Sequence, residues 1–119
     1  MVARTSTPIF SKSTVVVALA EDLGSASCEQ LQVECNDLQH GILSGAIRNL
    51  VIDCSDSKCL GGAALGLLLR LWKTTQRHGG SFCMCGLSPL SLEMLRVVKL
   101  DRLWPIHRSL LEATADLGG

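Results

Sequence analysis

The run Thr14–Leu19, TVVVAL, constrains this chain more than any other segment. Its residues are β-branched or apolar without a break, so neither side can face water. A strand of that kind is covered on both faces, as in the interior of a parallel sheet. Asn49–Cys54, NLVIDC, and Ser81–Gly86, SFCMCG, have the same character. Between these runs the apolar period changes to that of a helix. Positions 28, 31, 35, 38 and 42 form one stripe, with Glu29, Gln32, Glu34, Asp37 and Gln39 on the wet side. Ser27 and Gln30 fit a capping box at its start, and Gly41 and Gly45 mark its fraying end near Leu43. The strongest helix spans Ala63–His78, with Leu65, Leu68, Leu69 and Trp72 as its stripe and Arg70, Lys73, Thr74 and Arg77 opposite. Gly79-Gly80 ends it as a left-handed cap would.

Strands alternating with helices predict an α/β fold with a mixed, mainly parallel sheet of about four to five strands and about four helices. The right-handed crossover rule places the first two long helices on one face. The ends are less regular. Residues 1–7 are polar and expected to fray, and Ile9-Phe10 are expected to start an edge strand. Glu21–Ser25 is a turn around Gly24. Pro89 suits a helix start, with Leu92, Leu95 and Val98 as its apolar face. Leu103–Ile106 is expected as a short edge strand because of Pro105, and a last helix runs from His107 to about Leu117. The chain has 119 residues and shows no linker, repeat or shift of composition, so residues 1–119 are expected to form a single domain.

Several classes of function are disfavoured. Eleven basic residues balance eleven acidic ones, so no charge excess advertises a nucleic-acid or anionic membrane surface. Aromatics are 3% with no tyrosine, too few for a base-stacking platform. The richest apolar stretch, Leu60–Leu69, is ten residues and stops at Arg70, where a membrane span needs about 20. Val15–Ala20 is too short for a signal-peptide core, so a soluble, cytoplasmic protein without membrane insertion is expected. Cys28, Cys35, Cys54, Cys59, Cys83 and Cys85 lack metal-ligand spacing: four residues separate Cys54 from Cys59 and one separates Cys83 from Cys85. Buried, free thiols are expected, with no metal and no cofactor. There is no G-x-S-x-G, no H-E-x-x-H and no pair of acids placed for acid–base chemistry. A non-enzymatic binding module is the reading that remains, with no catalytic residue assigned.

One feature points to a site. Gly61-Gly62 lies in the loop Ser55–Gly62, after a buried strand's carboxyl end and before the strongest helix. Open α/β sheets place their sites there, and free N–H groups at a helix start favour an anion. Gly62 and Gly66 also fit simple close packing against the sheet.

From Asn49 onward the order NLVIDCSDSKCLGGAALGLLLRLWKTTQRHGGSFCMCGLSP resembles the STAS domain, the fold of bacterial anti-sigma factor antagonists. The family shows an I-V-L-D-L-like strand, a loop ending in D-S-S-G-L, a helix of the G-x-x-x-L-x-x-x-x-K type, then G-G before a strand ending in S-P. Here these are Leu50–Cys54, Leu65-Gly66, Gly79-Gly80 and Ser88-Pro89. Val17–Gly24, VALAEDLG, stands where the family has a strand and a G-E-L-D turn, so the likeness spans roughly residues 14 to 112. The family's D-S-S-G falls on Gly61-Gly62-Ala63-Ala64. The resemblance implies that the usual phospho-acceptor serine is Gly62, which has no hydroxyl. The flanking aspartates correspond to Gly61 and Gly24. Ser55, Ser57 and Ser25 are the nearest alternative acceptors.

The resemblance implies a partner-docking face built from Ser57, Lys58, Cys59, Leu60, Gly61, Gly62, Ala63 and Ala64. The leading expectation is a module that binds a kinase-type anti-sigma factor or related regulator, without the conventional serine switch. A second reading is a STAS subunit of an ABC-type lipid-transport system that binds its ATPase. A third is a nucleotide or anion sensor at the glycine loop. A monomer or weak dimer is expected. His78, just before the helix-ending glycine, is expected to stabilise the helix dipole, and His107 to be exposed. Trp72 falls on the core stripe. Trp104 is expected to be partly exposed on the edge, where anchoring a dimer or partner is the minority reading.

Overall fold

The computed structural model describes residues 2–5, 14–19, 29–55 and 62–113. Five strands form one sheet in the order β1-β2-β3-β4-β5: β1 (Val2–Thr5), β2 (Thr14–Leu19), β3 (Asn49–Asp53), β4 (Ser81–Cys85) and β5 (Ile106–His107). The last four run parallel, and β1 pairs antiparallel with β2. Three α-helices connect the parallel strands: α1 (Glu29–Leu43), α2 (Gly62–Arg77) and α3 (Pro89–Val97), followed by a 3-10 turn at Leu100–Arg102. Residues 110–113 are helical. No helix among the described residues is long and apolar enough to cross a membrane.

The parallel register explains why the strands are continuous apolar runs. Val15, Leu50 and Phe82 stand abreast, as do Val17, Ile52 and Met84. These six face α1, α2 and α3 in one core with Cys35, Leu38, Ile42, Leu68, Leu71 and Leu95. The alternate residues, Val16, Val51, Cys83 and Cys85, form a second core under Ala113 and Leu110. Both faces are therefore dry, as the sequence predicts, and α1 and α2 share one face. Ile9-Phe10, Glu21–Ser25, Ser27 of the expected capping box, Cys28 and Cys59 lie outside the described residues.

Four expectations are corrected. Residues 2–5 pair with β2, Val2 opposite Leu19 and Thr5 opposite Val16, instead of fraying. The free N–H and C=O groups along β2's edge need a partner, and backbone pairing supplies it whatever the side chains. The buried face of α2 is centred on Ala64, Leu68, Leu71 and Thr75, about one position from the predicted stripe, with Leu69 and Trp72 half-buried at its margin. Thr74 is buried, not on the wet side: its Oγ1 donates to the Arg70 carbonyl (3.1 Å) and accepts from Gln39 Nε2 of α1 (3.3 Å). On α3, Leu95 is buried as predicted, but Val98 is exposed and Ser91 takes the inward position. Ser88 caps this helix, its Oγ accepting from the Ser91 N–H at 3.1 Å.

The carboxyl-terminal end also differs. The last strand begins at Ile106, not Leu103, because Pro105 cannot donate to a ladder. Its carbonyl instead accepts from the Met84 N–H (3.0 Å) just ahead of the strand. Trp104 is 2% exposed and packs on Phe82 with ring centroids 5.3 Å apart at 52°. It is a core residue, so the dimer-anchor reading fails. His107 lies in β5, half-buried, with Nδ1 3.6 Å from Glu112 Oε1, not at the exposed start of a helix.

Candidate functional site

Strands β2 to β4 run parallel, so β3 and β4 deliver their carboxyl ends to one rim of the sheet. β3 ends at Asp53 and β4 at Cys85, paired in register. The Cys54 N–H continues that ladder by donating to the Cys85 carbonyl at 2.9 Å. Asp53 then turns the chain. Its Oδ1 accepts from the Ser55 N–H at 3.0 Å and from the Ser55 hydroxyl at 2.6 Å. This Asx turn offers the backbone an alternative to further strand, which is why β3 stops there. Gly86 follows β4 with φ +69°, and a Cβ there would run into Ser55, whose backbone N would be 3.0 Å away. The glycine lets the two strand ends approach.

Gly62 opens α2, and Gly62–Ala63–Ala64 is its first turn. That turn carries no acidic residue. Ala64 is fully buried and joins the main core. Of the residues expected to dock a partner, Ser57, Lys58, Cys59, Leu60 and Gly61 lie outside the described residues, as do Gly24 and Ser25. Ser55 is exposed beside Asp53. Sequence reasoning passed over Asp53 as a strand residue. The available signal was an aspartate at a strand's end with a serine two residues on.

Four cysteines in the described residues, Cys35, Cys54, Cys83 and Cys85, are free and buried. Among the described residues no cluster of histidine, cysteine and acids is placed to hold a metal ion. Burial pushes the Cys54 thiol from the usual 9.0 to about 12, with the charges of Cys85 and Asp53 acting the same way. Burial likewise raises Cys85 to about 12, helped by Asp53, which accepts from its Sγ at 3.9 Å. A thiol is reactive as the thiolate, so these two are inert near neutral pH. Neither is expected to be alkylated by iodoacetamide in the native protein at pH 8 on the timescale that labels both after unfolding, as read by mass spectrometry. The neutral thiols fit the fold, and the unfolded chain releases their protons first. Stability is therefore intact below about pH 9 and is lost as the pH rises towards 12.

His78, just past α2, places Nδ1 3.1 Å from the Thr74 carbonyl and so satisfies a helix-end acceptor, as its position predicts. Gly79 has φ +73° and closes the helix.

Residues 7–112 match the family model described as Mlab, STAS domain. The chain belongs to the STAS domain family. Solved structures of the STAS fold superpose over nearly its full length. An anti-sigma-factor antagonist (STAS) domain protein from Planctomyces limnophilus matches with TM-score 0.79 at 20% identity, covering 99% of this chain and 98% of that one. The anti-sigma factor antagonist SpoIIAA in its unphosphorylated form matches with TM-score 0.79 at 16% identity, covering 92% of each chain. The phosphorylated form of SpoIIAA, a Bacillus cell fate determinant, matches with TM-score 0.71 at 18% identity, covering 92% of this chain and 96% of that one. At these identities the likeness is one of fold. No curated protein matches the chain. The STAS fold accounts for the α/β architecture, and membership of the STAS family implies a protein-interaction role.

Proposed function

We propose that this STAS domain is a non-enzymatic, cytoplasmic interaction module that docks a kinase-type anti-sigma factor or related regulator at the start of α2, without a serine switch there. The observation that carries this reading is the composition of that helix start. Gly62, the residue aligned with the family's phospho-acceptor, is the first residue of α2 and has no hydroxyl, and no acid stands in the first turn. A phosphate adds roughly −1.5 to −2 charges at neutral pH, which repels a partner that fits the uncharged face. With glycine at position 62, the face keeps the uncharged form. Ser57–Ala63 supply the docking surface, whereas Ala64, expected there too, is fully buried in the core and cannot touch a partner. Of the alternative acceptors, Ser55 is poorly suited: a phosphate there stands against the Asp53 carboxylate that now accepts its hydroxyl.

A second reading, a subunit that binds an ABC-type ATPase, is favoured by the description Mlab of the matching family model, and glycine at position 62 is compatible with it.

The test is affinity capture from the source lysate with the wild type, Gly62→Ala and Gly62→Asp, each checked for its fold by circular dichroism. A kinase-like ATPase retained by the wild type and Gly62→Ala, and reduced at least tenfold by Gly62→Asp, is the expected result. An ABC ATPase with the same dependence moves the assignment to the second reading. Capture indifferent to position 62 overturns the docking face.

A further inference from the structure

The end of the sheet opposite Gly62 holds a cleft of about 310 Å³. The last turn of α1 forms one wall with Ile42, Leu43 and Ser44. Ile47 and Arg48 of the connection into β3 form the second, and His78 with Gly80, just ahead of β4, the third. These walls are fixed by backbone hydrogen bonds. The Ile47 N–H donates to the Gly41 carbonyl (3.0 Å), the Gly80 N–H to the Thr75 carbonyl (2.9 Å) and the Ser81 N–H to the Arg48 carbonyl (2.9 Å). Ile47 lies directly over Gly41, where any Cβ would collide with it. The cleft therefore exists without a ligand, and its volume is at the lower end of small-molecule sites, roughly 300–1,000 Å³.

Its lining is chemically mixed. Ile42, Leu43 and Ile47 are apolar, Arg48 and His78 are polar, and no carboxylate lines the cleft among the described residues. The Arg48 guanidinium forms no hydrogen bond or ion pair with the described residues. The Nδ1 of His78 is committed to the Thr74 carbonyl, which leaves the Nε2 edge for another group. No phenylalanine or tryptophan lines the space to stack a nucleobase. A guanidinium without a partner matches a planar carboxylate through two parallel N–H donors.

We propose that this cleft binds a small amphipathic carboxylate, its apolar body against Ile42, Leu43 and Ile47 and its anionic end at Arg48. The site is separate from the α2 start and does not rest on the docking reading above. A ligand here contacts both the α1–β3 connection and the α2–β4 turn.

The test is amide-resolved NMR titration of the full chain with phenylacetate, with phenylacetamide and benzylamine as uncharged and cationic counterparts of similar shape. Saturable shifts centred on Ser44, Gly45, Arg48 and Gly80 are expected with phenylacetate, and binding at least tenfold weaker with each counterpart. Arg48→Gln, at an exposed position, is expected to keep the native spectrum and to lose at least tenfold in affinity. Shifts that do not saturate, shifts centred on the start of α2, or equal binding of phenylacetamide or benzylamine overturn the proposal. The comparison among the three probes uses only the wild-type protein, so it decides the matter even if the variant unfolds.

Discussion

Replacing Trp104 with alanine is expected to lower the unfolding free energy by about 3–5 kcal/mol, the range for emptying a large aromatic site in a core. That is a large share of the roughly 5–15 kcal/mol that stabilises a domain. Trp104 is among the largest fully buried side chains, and its ring packs on Phe82 of β4. It ties the segment after α3 to the sheet just before β5 begins, so its loss also loosens the two-residue edge strand. A smaller aromatic ring separates packing from hydrogen bonding. The Trp104 Nε1 finds no acceptor among the described residues. Trp104→Phe therefore removes an unsatisfied donor along with some ring area, and a loss under about 1.5 kcal/mol is expected. Urea unfolding followed by circular dichroism measures both variants. Equal losses for the two would refute the packing account.

Gly80→Ala is expected to cost about 3 kcal/mol, at the upper end of overpacking penalties, because the atom it meets is backbone. A Cβ at Gly80 would fall on the Arg48 carbonyl oxygen and lie 3.0 Å from Thr75 Cγ2. That carbonyl accepts from the Ser81 N–H, the bond that sets β4 beside β3 at their entry. The strands must separate or the turn must move, and neither is a side-chain adjustment. Gly79→Ala is the matched control. Gly79 has φ +73° with open space around it, so the cost there is conformational alone, about 1–2 kcal/mol. Thermal and urea unfolding of the pair would show the order. A Gly80 variant no worse than the Gly79 variant would mean that the turn yields freely.

The two glycines look identical in the sequence, where both mark only a helix end. One is required by its dihedral angle and the other by a carbonyl from a segment some thirty residues earlier. The same division runs through the site. That a buried strand, a glycine loop and a strong helix follow one another from Asn49 to Arg77 was legible, because burial on both faces and helical period are written in residue type. The Asp53–Ser55 turn was legible in principle but is a weak local pattern among many serines and aspartates. The cleft at the other end was not, since Ile42, Arg48 and His78 become neighbours only when three connections meet.

What the sequence by itself determined is the alternation of strand and helix, the dryness of both faces of β2, β3 and β4, and the glycine pair before the strongest helix. Each follows from the chemistry of single residues or from short periodicity. The tertiary structure alone decided the rest: the pairing of residues 2–5, the rotation of α2 that buries Thr74 and Thr75, the inward place of Trp104 and the cleft beside Arg48. These depend on which backbone edges and surfaces meet across the fold, and contacts between segments far apart in the chain leave no periodic mark in it.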